Sequence, residues 1–114
     1  MSIVLAGYTL DFWDCREIVG SGPEACSLSI EGDWIEGKRF DPSPLEWQSS
    51  ILIPVRKIGF FSSGFALGRI APSTRQVSLI SKTFPYMKLL RLEGDAVVFA
   101  KATCGIEEGK IKLC

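Results

Sequence analysis

Short apolar runs and stretches of period-two alternation follow one another along this chain, separated at short intervals by turn-forming clusters. Ala25–Glu31 sets Cys26, Leu28 and Ile30 on one face and Ser27, Ser29 and Glu31 on the other, the pattern of a half-buried strand. Ile3–Leu10 is rich in β-branched and aromatic residues and predicts a strand ahead of it. Gly32-Asp33 predicts a hairpin turn with Trp34–Phe40 as the return strand. Ser50–Val55 predicts a buried strand with Pro54 at an edge or end. Gly59–Ile70 holds three glycines, which argue for two strands joined at Ser62-Ser63-Gly64 rather than for a helix. Arg75–Phe84 predicts another strand, and Met87–Glu93 with Ala96–Thr103 predicts a hairpin turning at Gly94-Asp95. A last short hairpin is expected around Glu108-Gly109.

Two segments read as helical. Asp11–Val19 has an N-cap candidate in Asp11, acids in its early turns and Gly20 beyond its end. Ser43-Pro44-Leu45-Glu46 has the form of a capping box with proline at the first helical position, and predicts one helical turn before extended chain. Eight or so short strands with one or two helical pieces predict a mostly β, β-rich α+β fold: a small antiparallel sheet or a partly open barrel. The loop Asp41-Pro42-Ser43-Pro44 is too short for a domain linker, so residues 1–114 are expected to form one domain.

The composition is globular, with 46% hydrophobic and 23% charged residues. Met1–Leu10 lacks the basic region and long apolar run of a signal peptide, and nothing approaches the length of a membrane helix. A soluble, cytoplasmic protein with no membrane role is the resulting expectation. In that setting Cys15, Cys26, Cys104 and Cys114 are expected as thiols. Their spacings of eleven and ten residues do not match a zinc site, so no metal is expected.

The chain contains no histidine. That excludes Ser-His and Cys-His dyads and every histidine metal ligand, and it removes the commonest general acid–base. Gly68 is followed by Arg69 and Ile70, where a phosphate-binding loop needs lysine and a hydroxyl residue. Gly64-Phe65-Ala66 echoes an RNA-recognition pattern without its leading base or last aromatic. Carboxylates such as Asp41, Glu46 and the pair Glu107-Glu108 could serve acid–base chemistry, and no ligand spacing singles them out. Trp13, Trp34 and Trp47 read as core aromatics. No catalytic residue and no cofactor is assigned.

Net charge is zero, but charge is segregated along the chain. Residues 1–46 hold nine acids and three bases, whereas residues 47–92 hold seven bases and no acid. Arg56, Lys57, Arg69 and Arg75 are the candidate binding residues, expected to form a basic surface for a protein with an acidic surface. The aromatics interleaved with these bases, Phe60, Phe61, Phe65, Phe84 and Tyr86, would also suit single-stranded nucleic acid. They lie in apolar runs that read as core, and the pI near 6.2 is far from a nucleic-acid footprint. The late segment Leu90-Arg91-Leu92-Glu93-Gly94-Asp95-Ala96-Val97-Val98-Phe99, within the layout of residues 44–103, resembles the late hairpin of some bacterial contact-dependent toxin-immunity proteins. The resemblance implies a stand-alone protein-binding role. A non-catalytic, adaptor-like or immunity-like module is therefore the leading expectation. A small-ligand barrel or histidine-free enzyme, and a single-stranded nucleic-acid binder, are the alternatives. A homo-oligomer is compatible with all three.

Overall fold

The structure is a computed structural model, and it describes residues 1–17, 24–58, 63–101 and 107–113. Each of its three antiparallel sheets is built from strands consecutive in sequence. The first holds β1 (Ser2–Leu5), β2 (Tyr8–Glu17), β3 (Glu24–Ile30) and β4 (Asp33–Trp34). The second holds β5 (Leu45–Trp47), β6 (Ser50–Ile58), β7 (Ser63–Ala71) and β8 (Gln76–Leu79). The third holds β9 (Lys88–Glu93), β10 (Ala96–Ala100) and β11 (Glu108–Lys112), with β10 in the centre. Among the described residues none closes into a barrel.

The alternation along β6 and β7 explains how the sheets stack. Ile51, Ile53, Val55 and Ile70 pack with Leu10, Phe12, Leu28 and Ile30 of the first sheet. The intervening Leu52, Phe65 and Leu67 pack with Leu89, Val97 and Phe99 of the third. Both faces of the second sheet are thus buried, which is why Ser50–Val55 reads as a continuous apolar run rather than as an alternation. The segment around Phe40 joins the first two layers. Phe40 bridges Cys26 of β3 on one side and Val55 of β6 on the other, exchanging hydrogen bonds of 2.7 and 2.8 Å with Cys26. The expected return strand Trp34–Phe40 is accordingly broken into β4 and this bridge, with a turn at Gly37 between them.

No helix occurs among the described residues. The helix expected over Asp11–Val19 is replaced, through Glu17, by β2; residues 18–23 lie outside the described set. Leu10 and Phe12 are buried while Asp11 and Trp13 face out, so burial follows period two. A bulge between Trp13 and Arg16, with Asp14 at φ 51°, then breaks that period. The helical turn expected from Pro44 is β5. Ser43 does not cap a helix. Its hydroxyl donates to the Asp41 carboxylate and accepts the Leu89 N–H at 3.1 Å, tying the 41–43 turn to the third sheet. Glu46 accepts the Ala6 N–H at 2.7 Å instead of closing a capping box. The last expected hairpin is the single strand β11, which runs through Gly109 against β10.

The bulge also changes the cysteine chemistry. Cys15 and Cys26 do not remain thiols: a disulfide joins them across β2 and β3. Cys104 and Cys114 lie outside the described residues.

Three hairpins turn on two residues with positive φ, at Ala6-Gly7, Glu31-Gly32 and Gln48-Ser49. This is the type I′ geometry that matches strand twist. The late hairpin pairs Ala96 with Glu93, as expected, and Gly94 has φ 61° at the first turn position. No atom lies within 4 Å of a Cβ added at Gly94, so the cost of a side chain there is backbone strain alone. Gly94→Val should lower stability by about 1 kcal/mol or more. Chemical denaturation checks this, and an unchanged midpoint would refute the turn geometry.

Gly64 serves a different purpose. A Cβ there would meet the Phe84 carbonyl oxygen at 2.1 Å, because Phe65 and Phe84 exchange backbone hydrogen bonds of 2.7 and 2.8 Å beside it. Neither backbone can yield without breaking that bridge. Gly64→Ala should destabilise by about 1–3 kcal/mol, measurable as a lowered urea midpoint at constant slope.

Candidate functional site

Arg39 sits one residue before the bridge at Phe40 and is gripped by both strands of the bulge. Its Nη2 donates to the carbonyls of Asp14 and Ala25, the latter at 2.8 Å. Its Nη1 donates to the Ser27 hydroxyl at 3.3 Å and lies 3.5 Å from the Asp14 carboxylate. Asp14 and Ala25 each precede a half-cystine, so the guanidinium clasps the two strands beside the disulfide. The Asp14 carboxyl is held below its usual range, first by its hydrogen bond to Arg16; desolvation opposes this, and the charges of Arg16 and Arg39 add to the lowering.

Arg56 joins Arg39 through the backbone, its N–H donating to the Arg39 carbonyl at 2.8 Å. The Arg56 guanidinium lies 5.9 Å from the centre of the Phe65 ring, which supports it from below. Lys38, Arg39 and Arg56 thereby line one open cleft of about 390 Å³ together with Gly37 and Ser27. Ser27 lies opposite Trp13 in the β2–β3 register, so the cleft continues directly onto the outer face of the first sheet.

That face carries a pair of exposed tryptophans. Trp13 stands opposite Ser27 and Trp34 opposite Ser29, with the small serines between them. The two rings meet above β3 with centroids 3.7 Å apart and planes tilted by 49°. Trp13 remains 42% and Trp34 48% exposed. The core reading therefore fails for both, because each occupies the outward phase of its strand. Trp47 is half-buried beside the second core.

The four residues expected to form one basic surface occupy separate places. Arg56 lies in the cleft. Lys57, adjacent on β6, points to the opposite face and is exposed. Arg69 lines a different groove with Ser50 and Ser78; its Nε donates to Ser50 Oγ at 3.0 Å and its guanidinium lies 5.0 Å from the Trp47 ring centre. Arg56 pairs with Phe65 and Arg69 with Leu52 in the β6–β7 register. Four strand positions, roughly 13 Å, therefore separate them along the sheet, with the second core between. Arg75 lies in the turn before β8 with φ 61° and pairs with Asp33 at 3.5 Å. Lys38 and Arg39 were not singled out by the charge count because they lie in the acid-rich half. Only the bridge at Phe40 brings them to Arg56.

The candidate acid–base carboxylates do not converge. Asp41 is buried beside Ser43, and its charge adds to the burial that raises the Tyr86 phenol. Glu46 is held by Ala6, Glu107 lies 3.8 Å from Lys101, and Glu108 pairs with Arg91 at 3.2 Å. Arg91, Glu93, Glu108 and Lys110 form an ion-pair network on the outer face of the third sheet. Hydrogen bonds from Lys110 and Arg91 hold the Glu93 carboxyl below its usual range. Val98, in register with Arg91 and Lys110, is buried beneath this network. Among the described residues no group of three or more Cys, Asp or Glu is placed to hold a metal. Of the interleaved aromatics, Phe65 is fully buried and Phe84 packs edge-on against Phe99 at 4.9 Å; Phe60 and Phe61 lie outside the described residues.

No family model, curated protein or solved structure matches the chain.

Proposed function

We propose that this chain is a non-catalytic binding domain that docks onto a protein with an acidic surface through the Lys38–Arg39–Arg56 cleft. The convergence of three cations on one cleft carries this reading. Among the described residues, the ion pairs formed by the bases of residues 47–92 fall on Arg75 and Arg91, so Arg56 contributes its charge to the cleft rather than to a salt bridge. A cleft with a surplus of positive charge speeds encounter with an oppositely charged surface, and the effect weakens with salt. No cofactor or catalytic group is part of this reading.

Nucleic acid is the less favoured target. The stretch's aromatics are drawn inward at Phe65, and the exposed tryptophans pack against each other at a tilt instead of leaving a slot for a base. Lys38→Glu combined with Arg56→Glu should leave the circular dichroism spectrum unchanged and slow capture of the natural partner several-fold, with wild-type capture falling as salt rises. Undiminished capture by the variant would remove the cleft from the mechanism. Micromolar binding of a single-stranded oligonucleotide at low salt would replace the reading by nucleic-acid binding.

The cytoplasmic location expected from the sequence belongs to this proposal. No helix among the described residues is long and apolar enough to cross a membrane. Cytoplasmic thiol pools reduce most disulfides, so a cytoplasmic chain would hold Cys15 and Cys26 as a dithiol at rest. Alkylation of the cysteines at the moment of cell lysis reads that state directly.

A further inference from the structure

We infer that the acidic surface met by the cleft is presented by a second copy of this chain, in a two-fold dimer centred on the Trp13–Trp34 pair. The inference rests on the cationic cleft as a protein-docking site and names its occupant. The outer face of the first sheet is arranged as a strip along β2. Glu31 lies in the turn at one end, Asp11 shares a row with Ser29 and Trp34, Trp13 follows opposite Ser27, and Arg16 with the cleft lies at the other end.

Such a strip is self-complementary. A two-fold axis through the tryptophan pair lays the acidic end of each copy over the basic end of the other, as an isologous interface requires. It also places apolar rings at the centre and charges at the rim, the usual anatomy of a protein interface. Some of these charges already have partners within one copy. Asp11 accepts from the Ser2 hydroxyl, and Asp14 pairs with Arg16 and Arg39. Arg16 and Asp14 remain accessible, with side chains 74% and 43% exposed. The carboxylates at one end also disfavour a polyanion across the whole strip, which separates this face from a nucleic-acid platform.

Sedimentation velocity on the purified chain, from micromolar to submillimolar concentration, should show a reversible monomer–dimer equilibrium that weakens with salt. Trp13→Ser with Trp34→Ser should weaken it by roughly tenfold or more, the scale of a lost interfacial anchor. The decisive arm is a charge swap at the two ends of the strip. Asp11→Lys with Glu31→Lys should dissociate the dimer, and so should Arg16→Glu with Lys38→Glu. Mixing the two variants should restore association as a heterodimer, because each then supplies the complement of the other. A chain that stays monomeric throughout the range overturns the inference. So does dimerisation indifferent to the tryptophans, or failure of the mixture to associate. A monomeric chain that still captures a different acidic protein through Lys38 and Arg56 would overturn the inference while leaving the docking reading intact. A monomeric chain that captures none would remove both.

Discussion

Phe40→Ala should cost about 3–5 kcal/mol, a large share of the 5–15 kcal/mol that holds a typical domain together. The ring is fully buried in the core between the first and second sheets. Its backbone is hydrogen-bonded to Cys26 and bridged to Val55, so the site cannot collapse around a smaller side chain without loosening two layers. Urea denaturation should show a much lower midpoint with the slope preserved. A loss below about 1 kcal/mol would mean that the layers are held elsewhere. The cleft should respond as well, because Arg39 is adjacent to this ring and its carbonyl holds the Arg56 N–H. A folded Phe40→Ala protein should therefore bind its acidic partner more weakly, although Phe40 itself touches no ligand.

Opening the Cys15–Cys26 bond should be the next largest change. The bond closes a loop of sequence separation 11, and the chain-entropy estimate for a loop of that length is about 3 kcal/mol. The melting temperature should therefore fall on the order of 10 °C when a dithiol reductant is added. Cys15→Ala with Cys26→Ala should melt at the lower temperature with or without reductant, alanine being chosen because Cys26 is fully buried. Thiol titration of the oxidised, denatured protein should find no more than two reactive groups. Four would show that the pair is not bonded, and a melting temperature indifferent to reductant would show that the bond adds nothing.

Strand identity was legible wherever burial and alternation coincide. Cys26, Leu28 and Ile30 declare β3, and Gly94-Asp95 declares the late hairpin, because in both places the local chemistry and the final packing agree. Asp11–Val19 reads as a helix for a physical reason. An aspartate before a run of acids, with a glycine beyond, supplies helix punctuation, while the bulge at Asp14 destroys the period of two that would have opposed it. Ser43-Pro44-Leu45-Glu46 misled in the same way: its serine and glutamate use their hydrogen-bonding groups on Leu89 and Ala6, partners distant in sequence.

The candidate site was less legible than the fold. Counting charge in blocks of sequence favours residues 47–92, but the cleft is assembled by a bridge between layers and takes two of its three cations from the other half. Size alone reads Trp13 and Trp34 as core, whereas strand phase sets both on the outer face; Trp47 does pack against the second core. The disulfide depends on a register shift that no spacing of cysteines reveals.

Every sheet in this molecule is made of sequence neighbours, and the bridges at Phe40 and Phe84 are the isolated pairings outside the named strands among the described residues. Each layer can therefore zip up by itself, one hairpin after another, with only short loops to close. The one long-range decision left to the chain is the stacking of three preformed plates, the central one needing both neighbours to cover it. All-β chains are usually slow because distant strands must find each other. Here that search is replaced by a docking step, so the rate of reaching the native state should be set by how quickly the outer plates close over the middle one.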